Sequence, residues 1–316
     1  MKQHLAFLIA AHTDVEQLKR LMDALLPLGD CFLHIDKKVK DISFLKELEI
    51  YRETHCDKVF LVKRVGVTWG GFSQCAAQRE LLKAVFDSDR EYDRVFFLSG
   101  LDYPVFSKTE MEDFLNQHKK TEFVAGWNLS ESNVKNQLYK VKYYHYFRDI
   151  QLPHESVIRR MIIIGVRCFL RLLRLEKKSY LAINGGGYKC VYFGTQWTSM
   201  TSGCARHVLE EMNNNVALMK YFKTAYAPDE LLIPTIVYNS HFVNNAVPNV
   251  KGLDFQLLTP LHYLKYEDYV WSWDEKAYND IVKSGKMFVR KLVSGKSERL
   301  IEMLEERKMK IDKGLK

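Results

Sequence analysis

Leu5-Ala6-Phe7-Leu8-Ile9-Ala10-Ala11, followed closely by Thr13-Asp14-Val15-Glu16, decides the fold class of this chain. Seven uncharged apolar residues in a row suit a strand covered on both faces. The Thr-Asp-Val-Glu segment reads as a capping box, which opens a helix. Leu18, Leu21, Met22 and Leu25 then recur at helical spacing. Working outward, the same alternation repeats. Cys31-Phe32-Leu33-His34-Ile35-Asp36 is a second strand ending in an acid, and Lys58-Val59-Phe60-Leu61-Val62 a third. A helix follows Ser73, with Ala77, Leu81, Leu82 and Val85 on one side. Arg94-Val95-Phe96-Phe97-Leu98 is a fourth strand, running into Ser99-Gly100-Leu101-Asp102-Tyr103-Pro104, after which Ser107-Lys108-Thr109-Glu110 caps another helix. The pattern predicts an α/β domain with a parallel, Rossmann-like sheet. Ligands on such sheets sit at the carboxyl ends of strands, so residues just past a strand are the first site candidates.

The chain has 316 residues, 47% hydrophobic and 27% charged. These are ordinary globular proportions, enough for a core that needs no staples. They predict one catalytic domain over residues 1–295 and a charged terminal helix and tail over 296–316. The formal charge of +8 comes from no single run. Spread-out positive charge suits an anionic partner, a nucleotide diphosphate or a phospholipid face. No nucleic-acid-binding motif accompanies it, so that class is set aside. The six cysteines, Cys31, Cys56, Cys75, Cys168, Cys190 and Cys204, are widely spaced without a CxxC pair. They read as buried or free thiols in a reducing compartment. The first apolar run is too short for a signal peptide, and no stretch reaches the roughly 20 apolar residues of a spanning helix. The expectation is a cytoplasmic enzyme.

Residues 157–175 contain five arginines among apolar residues. This basic amphipathic helix has two readings. It packs its apolar side on the domain, or it lies on the anionic inner face of the cell membrane.

The chemistry-bearing candidates are few. Tyr226-Ala227-Pro228-Asp229-Glu230-Leu231-Leu232 puts two acids where a helix can begin, with Asp229 as cap and Glu230 in the first turn. A carboxylate there is kept ionised by the helix dipole, as a general base should be; two ordinary helix-start acids look the same. Pro234 would bend that helix. Arg290-Lys291 can bind a diphosphate or form a solvated basic pair. Asp36 ends its strand where an acid often meets a ribose. His34 shares its face, but two ligands without a third make no metal site. Asp87-Ser88-Asp89 precedes the strand Arg94–Leu98, whereas a metal-holding Asp-x-Asp would follow it; only Asp102 stands there. Gly185-Gly186-Gly187 joins no strand to a helix and reads as a turn. Trp69 and Tyr103 read as packing aromatics.

Together with Ala10-Ala11-His12, His34-Ile35-Asp36-Lys37-Lys38, Thr68-Trp69-Gly70-Gly71-Phe72-Ser73, Phe97 to Pro104, Gly194-Thr195-Gln196-Trp197 and Phe288-Val289-Arg290-Lys291, the Tyr226–Glu230 segment makes a collinear series over roughly residues 4–295. In this the chain resembles the core-2/I-branching β-1,6-N-acetylglucosaminyltransferase and peptide O-xylosyltransferase family. The resemblance implies a GT-A fold and inverting transfer from a UDP-sugar, most often UDP-N-acetylglucosamine, without a metal or other cofactor. It implies Glu230 as the base, Arg290 and Lys291 at the diphosphate, and Ala11, His12 and Asp36 at the nucleoside. Ser99, Gly100 and Asp102 would line the donor pocket, with Trp197 and Asp229 toward a glycan acceptor, which a membrane-facing enzyme would find on a lipid carrier. UDP-xylose as donor, or a glycan- or nucleotide-binding protein without turnover, are the alternatives. One departure stands out. Relatives often carry Leu-Arg-Tyr, with its Arg near the phosphates; here the segment is Leu261-His262-Tyr263, with Lys265 nearby to supply charge in its place.

Overall fold

The computed structural model describes residues 3–150, 156–177, 181–183, 185, 187–250, 252, 254–266 and 270–315. Its strands in chain order are β1 (Leu5–Ala11), β2 (Gly29–Ile35), β3 (Val59–Leu61), β4 (Arg94–Ser99), β5 (Asp102–Pro104), β6 (Trp127–Asn128), β7 (Tyr192–Phe193), β8 (Ser199–Thr201), β9 (His262–Tyr263) and β10 (Phe288–Arg290). The main sheet has the order β3-β2-β1-β4-β8. Its first four strands are parallel, and β8 closes the edge antiparallel to β4. Ala10 lies between His34 and Ser99 in register, so β1, β2 and β4 end at one edge. This is a mixed α/β architecture with a mainly parallel central sheet, as the sequence pattern predicts.

The uncharged β1 sits at the centre because both of its faces are covered. Ala6 and Leu8 join one core cluster with Phe32, Val95, Phe97 and the helices Ser73–Asp87, Ser202–Asn214 and Leu232–Tyr238. Leu5, Phe7 and Ile9 join the other with Phe96, Leu98 and the helices Val15–Leu25 and Ile42–Thr54. Alternate side chains thus feed alternate layers. Among the described residues, no helix is long and apolar enough to cross a membrane.

The sequence reading misplaces the first cap by one residue. Asp14, not Thr13, caps the helix Val15–Leu25, accepting from the Gln17 amide at 3.1 Å, and it also accepts from the Ser294 amide at 2.8 Å. The capping box Ser107–Glu110 is present. The terminal helix Glu298–Asp312 is no loose tail. Its Leu300, Ile301 and Leu304 form a third core cluster with Tyr103, Val289 and Leu292. Tyr103 packs as expected, whereas Trp69 is 62% exposed, because Gly70 turns the chain back in the left-handed region (φ 71°) directly after it. Of the glycine triplet, Gly185 and Gly187 also have positive φ, and Gly186 lies outside the described residues. Asp87–Asp89 closes the helix before β4, at the sheet edge opposite the β1, β2 and β4 ends.

Candidate active site

A small second sheet, β5-β10-β9, stands beside those strand ends. In it Asp102 lies directly opposite Arg290, and Arg290 Nη1 donates to Asp102 Oδ1 at 2.7 Å. Asp102 Oδ2 accepts the Ser99 amide at 2.7 Å and meets His262 Nε2 at 3.3 Å. Burial would by itself raise the Asp102 carboxyl. Arg290, His262 and the Ser99 amide outweigh it and hold the group below the ordinary carboxylate range. The Arg290 guanidinium also packs 4.9 Å from the centroid of Trp197. The segment 271–273 grips the backbone of the basic pair: the Lys291 amide donates to Trp271 O at 3.2 Å, and Trp273 Nε1 to Arg290 O at 2.8 Å.

His12, past the end of β1, is acted on by the same charges. Burial lowers its imidazole pKa, Asp36 opposes, and Arg290 and Lys291 lower it further. Asp36 Oδ1 accepts the Lys38 and Val67 amides at 2.9 and 3.0 Å. His12, Asp36, Arg290 and Lys291 therefore converge at the strand ends.

Glu230 is a half-buried carboxylate on the 3-10 turn Pro228–Glu230. Its Oε2 pairs with Lys140 Nζ, from the helix Lys135–Lys142, and Lys140 also lies 4.6 Å from the Phe193 ring centroid. Asp229, beside it, is fully buried. Burial raises its carboxyl to about 7, the neighbouring Glu230 charge raises it too, and Lys140 opposes. Asp229 Oδ2 accepts from Gln74 Nε2 at 3.0 Å, while its Oδ1 is buried without a hydrogen-bond partner.

Two segments join these centres. The Gly194 amide donates to Glu230 O at 2.8 Å, and Trp197 lies against Arg290 only three residues later. That spans at most about 10 Å of chain. The turn at residues 68–74 forms the second link. Lys38 Nζ donates to Val67 O and Thr68 Oγ1, the Ala227 amide donates to Gly70 O, and a Cβ on Gly70 would meet Tyr226 Cε2 at 2.6 Å. These two links tie the carboxylate base candidate Glu230 to the braced basic pair.

The family model for Core-2/I-Branching enzyme matches residues 5–279. This chain belongs to that family. It is 24% identical over 252 residues to "Xylosyltransferase oxt" of Drosophila pseudoobscura pseudoobscura, covering 78% of this chain and 25% of that protein. It is 22% identical over 249 residues to human "N-acetyllactosaminide beta-1,6-N-acetylglucosaminyl-transferase", covering 78% and 54%. "Xylosyltransferase sqv-6" of Caenorhabditis briggsae is 20% identical over 236 residues, covering 72% and 25%. The chain thus spans between a quarter and about half of the length of these relatives. The printed names of these relatives are all of enzymes that transfer a sugar.

Several expected roles for this family member change once its side chains are placed. Ala11 is buried; its carbonyl accepts the Asp36 amide at 3.0 Å and its Cβ would lie 2.8 Å from a Cβ on Gly100. Ala10 is the residue exposed at the end of β1. Gly100 therefore permits close packing on β1, while Ser99 remains partly exposed. Asp102 braces Arg290 from behind, since its oxygens are all engaged by protein groups. Asp229 neither caps a helix nor faces solvent: the helix begins at Leu232, leaving Pro234 in its first turn, where the missing N–H has no intrahelical partner to lose. Trp197 stacks on the basic pair rather than standing apart from it. His262 is buried, and its Nε2 is turned to Asp102; Lys265 is exposed. His34 Nε2 accepts the Val65 amide at 2.9 Å, a structural task. Among the described residues no group of three or more His, Cys, Asp or Glu is placed to share a metal. Sequence reasoning missed Lys140, Gln74 and the Trp271–Trp273 clamp, because none has a local signature; each acts on a residue far away in the chain.

Proposed function

We propose that this protein moves N-acetylglucosamine from UDP-N-acetylglucosamine to a primary hydroxyl of a glycan, in a β-1,6 linkage, during surface-polysaccharide synthesis. The observation that carries the reading is a half-buried carboxylate, Glu230, tied through residues 194–197 to the braced Arg290–Lys291 pair. Glu230 takes the proton of the acceptor hydroxyl. The hydroxyl oxygen bonds to the anomeric carbon from the face opposite the diphosphate, and the anomeric C–O bond to the β-phosphate breaks with inversion. The electron pair leaves on UDP, whose charge Arg290 and Lys291 meet without a metal ion. His12 and Asp36 stand where the nucleoside would lie.

The human relative's printed name supports the sugar and linkage. The names of the two invertebrate relatives support UDP-xylose as a second reading. Released UDP, measured over a panel of UDP-sugars with acceptor glycans, in EDTA and in Mn²⁺, separates them. Turnover of UDP-N-acetylglucosamine that survives EDTA is the expected result. A preference for UDP-xylose would replace the sugar assignment. Strict Mn²⁺ dependence would refute the role given to Arg290 and Lys291.

A further inference from the structure

The helix Val157–Leu172 is apolar on more of its circumference than the domain covers. Among its residues Arg159 is the buried one, and its Nη2 donates to Arg148 O at 3.2 Å. Arg167 Nη1 donates to the Tyr139 hydroxyl at 3.2 Å. Ile163, Val166 and Leu170 are half-buried on the Arg159 side, but a second set of apolar residues faces out: Met161 is 66% exposed, Phe169 60% and Leu172 81%, and Ile158 and Val157 are exposed beside them. At 100° per residue, Ile158, Met161, Phe169 and Leu172 fall within one arc of about 80°, with Arg160 and Arg171 at a rim of the same exposed surface. No Asp or Glu occurs from Val157 to Leu175. Packing on the domain, the alternative raised from the sequence, thus accounts for the Arg159 side of the helix and leaves this arc uncovered.

We propose that this helix docks flat on an anionic lipid bilayer, its apolar arc in the acyl boundary and its arginines among the headgroups. An exposed apolar surface edged only with arginine matches the chemistry of such a surface. Two copies of this chain meeting through the same face would bring arginines together with no acid to pair them. The docking also has a direction. The inward arginines fasten the helix to Tyr139, next to Lys140, and to Arg148, whose guanidinium lies 4.5 Å from the Tyr226 ring centroid. Both attachments belong to segments that hold Glu230. A bilayer under this helix therefore lies beside the base, and the acceptor it serves is a glycan carried on a lipid. This last step rests on the role given to Glu230; the docking itself does not.

The test is sedimentation of the full chain with vesicles of phosphatidylcholine alone and of phosphatidylcholine with phosphatidylglycerol, at low and high salt. Two variants accompany it, Met161→Asp/Phe169→Asp and Arg160→Glu/Arg171→Glu, all at exposed positions. Hydrolysis of UDP-N-acetylglucosamine without vesicles is measured in parallel. Binding to anionic vesicles that weakens with salt, and falls about tenfold or more in each variant, is expected, since each basic side chain at such a surface is worth about fivefold. Hydrolysis should be unchanged in both variants. Equal binding to neutral vesicles, no binding at all, or undiminished binding by the variants would overturn the proposal. So would a concentration-dependent dimer that the same substitutions dissolve. Vesicle binding without sugar-nucleotide turnover would instead count against the catalytic reading alone.

Discussion

Asp229→Asn isolates the buried neighbour of the base. Asp229 is fully buried, and its carboxyl is raised from 3.8 to about 7 by burial first and the Glu230 charge second. An acid raised on folding is bound more tightly by its proton in the native state. Its contribution to stability is complete below the unfolded value and is lost as pH rises through about 7. The move from 3.8 to about 7 corresponds to about 4 kcal/mol, of which roughly 3 kcal/mol falls between pH 5 and 8.5. Asparagine removes the titration while keeping an oxygen for Gln74 Nε2. It also places an amide where Oδ1 now lacks a partner, which costs about 1 kcal/mol at every pH. Since the contribution is already reduced by about 1.6 kcal/mol at pH 5, the variant should be about level with the parent or slightly more stable there, and more stable by about 3 kcal/mol at pH 8.5. Urea unfolding of both proteins at pH 5, 6, 7 and 8.5 measures this. Other titrating groups, such as His12, cancel in the difference. Stability curves that stay parallel across this range would refute the burial argument. Since Asp229 is buried beside Glu230, turnover of the variant should remain within a few-fold of the parent.

The adjacent substitution should behave in the opposite way. Glu230→Gln should lower kcat by about 10²–10⁴ with an unchanged circular dichroism spectrum; near-parental turnover in a folded protein would remove Glu230 from its role. Asp102→Asn takes the buried counter-charge from Arg290 and should cost about 3–5 kcal/mol in urea unfolding. It should also weaken UDP binding in calorimetry, although Asp102 itself has no exposed oxygen; intact UDP affinity would show that Arg290 needs no brace. Gly100→Ala sets a methyl 2.8 Å from Ala11 Cβ. It should lower stability by about 1–3 kcal/mol, and a melting temperature equal to the parent's would show that β1 can yield there.

The sheet was legible because β1, β2 and β4 are covered on both faces, and double burial leaves an uninterrupted apolar run that no other local structure needs. The capping residues Ser107 and Glu110 were legible for a similar reason, since a helix start is satisfied within three or four positions. Asp36 was singled out by its place at a strand end, and His12, Glu230 and Arg290 by the resemblance that the collinear segments carry. What those residues touch was beyond local reading. Lys140 meets Glu230 across 90 positions and Asp102 meets Arg290 across 188. Ions at such separations carry no periodicity; packing alone brings them together. The same cause set the burial of Asp229, Ala11 and Trp69. Type and neighbours in sequence suggested a cap, a pocket wall and a core aromatic, and burial by distant segments, or its absence, decided otherwise. Residues 157–175 make the point from the other side: their sequence determined an amphipathic basic helix, and only the tertiary structure, by turning Arg159 inward and leaving Phe169 and Leu172 in solvent, decided which face the domain keeps.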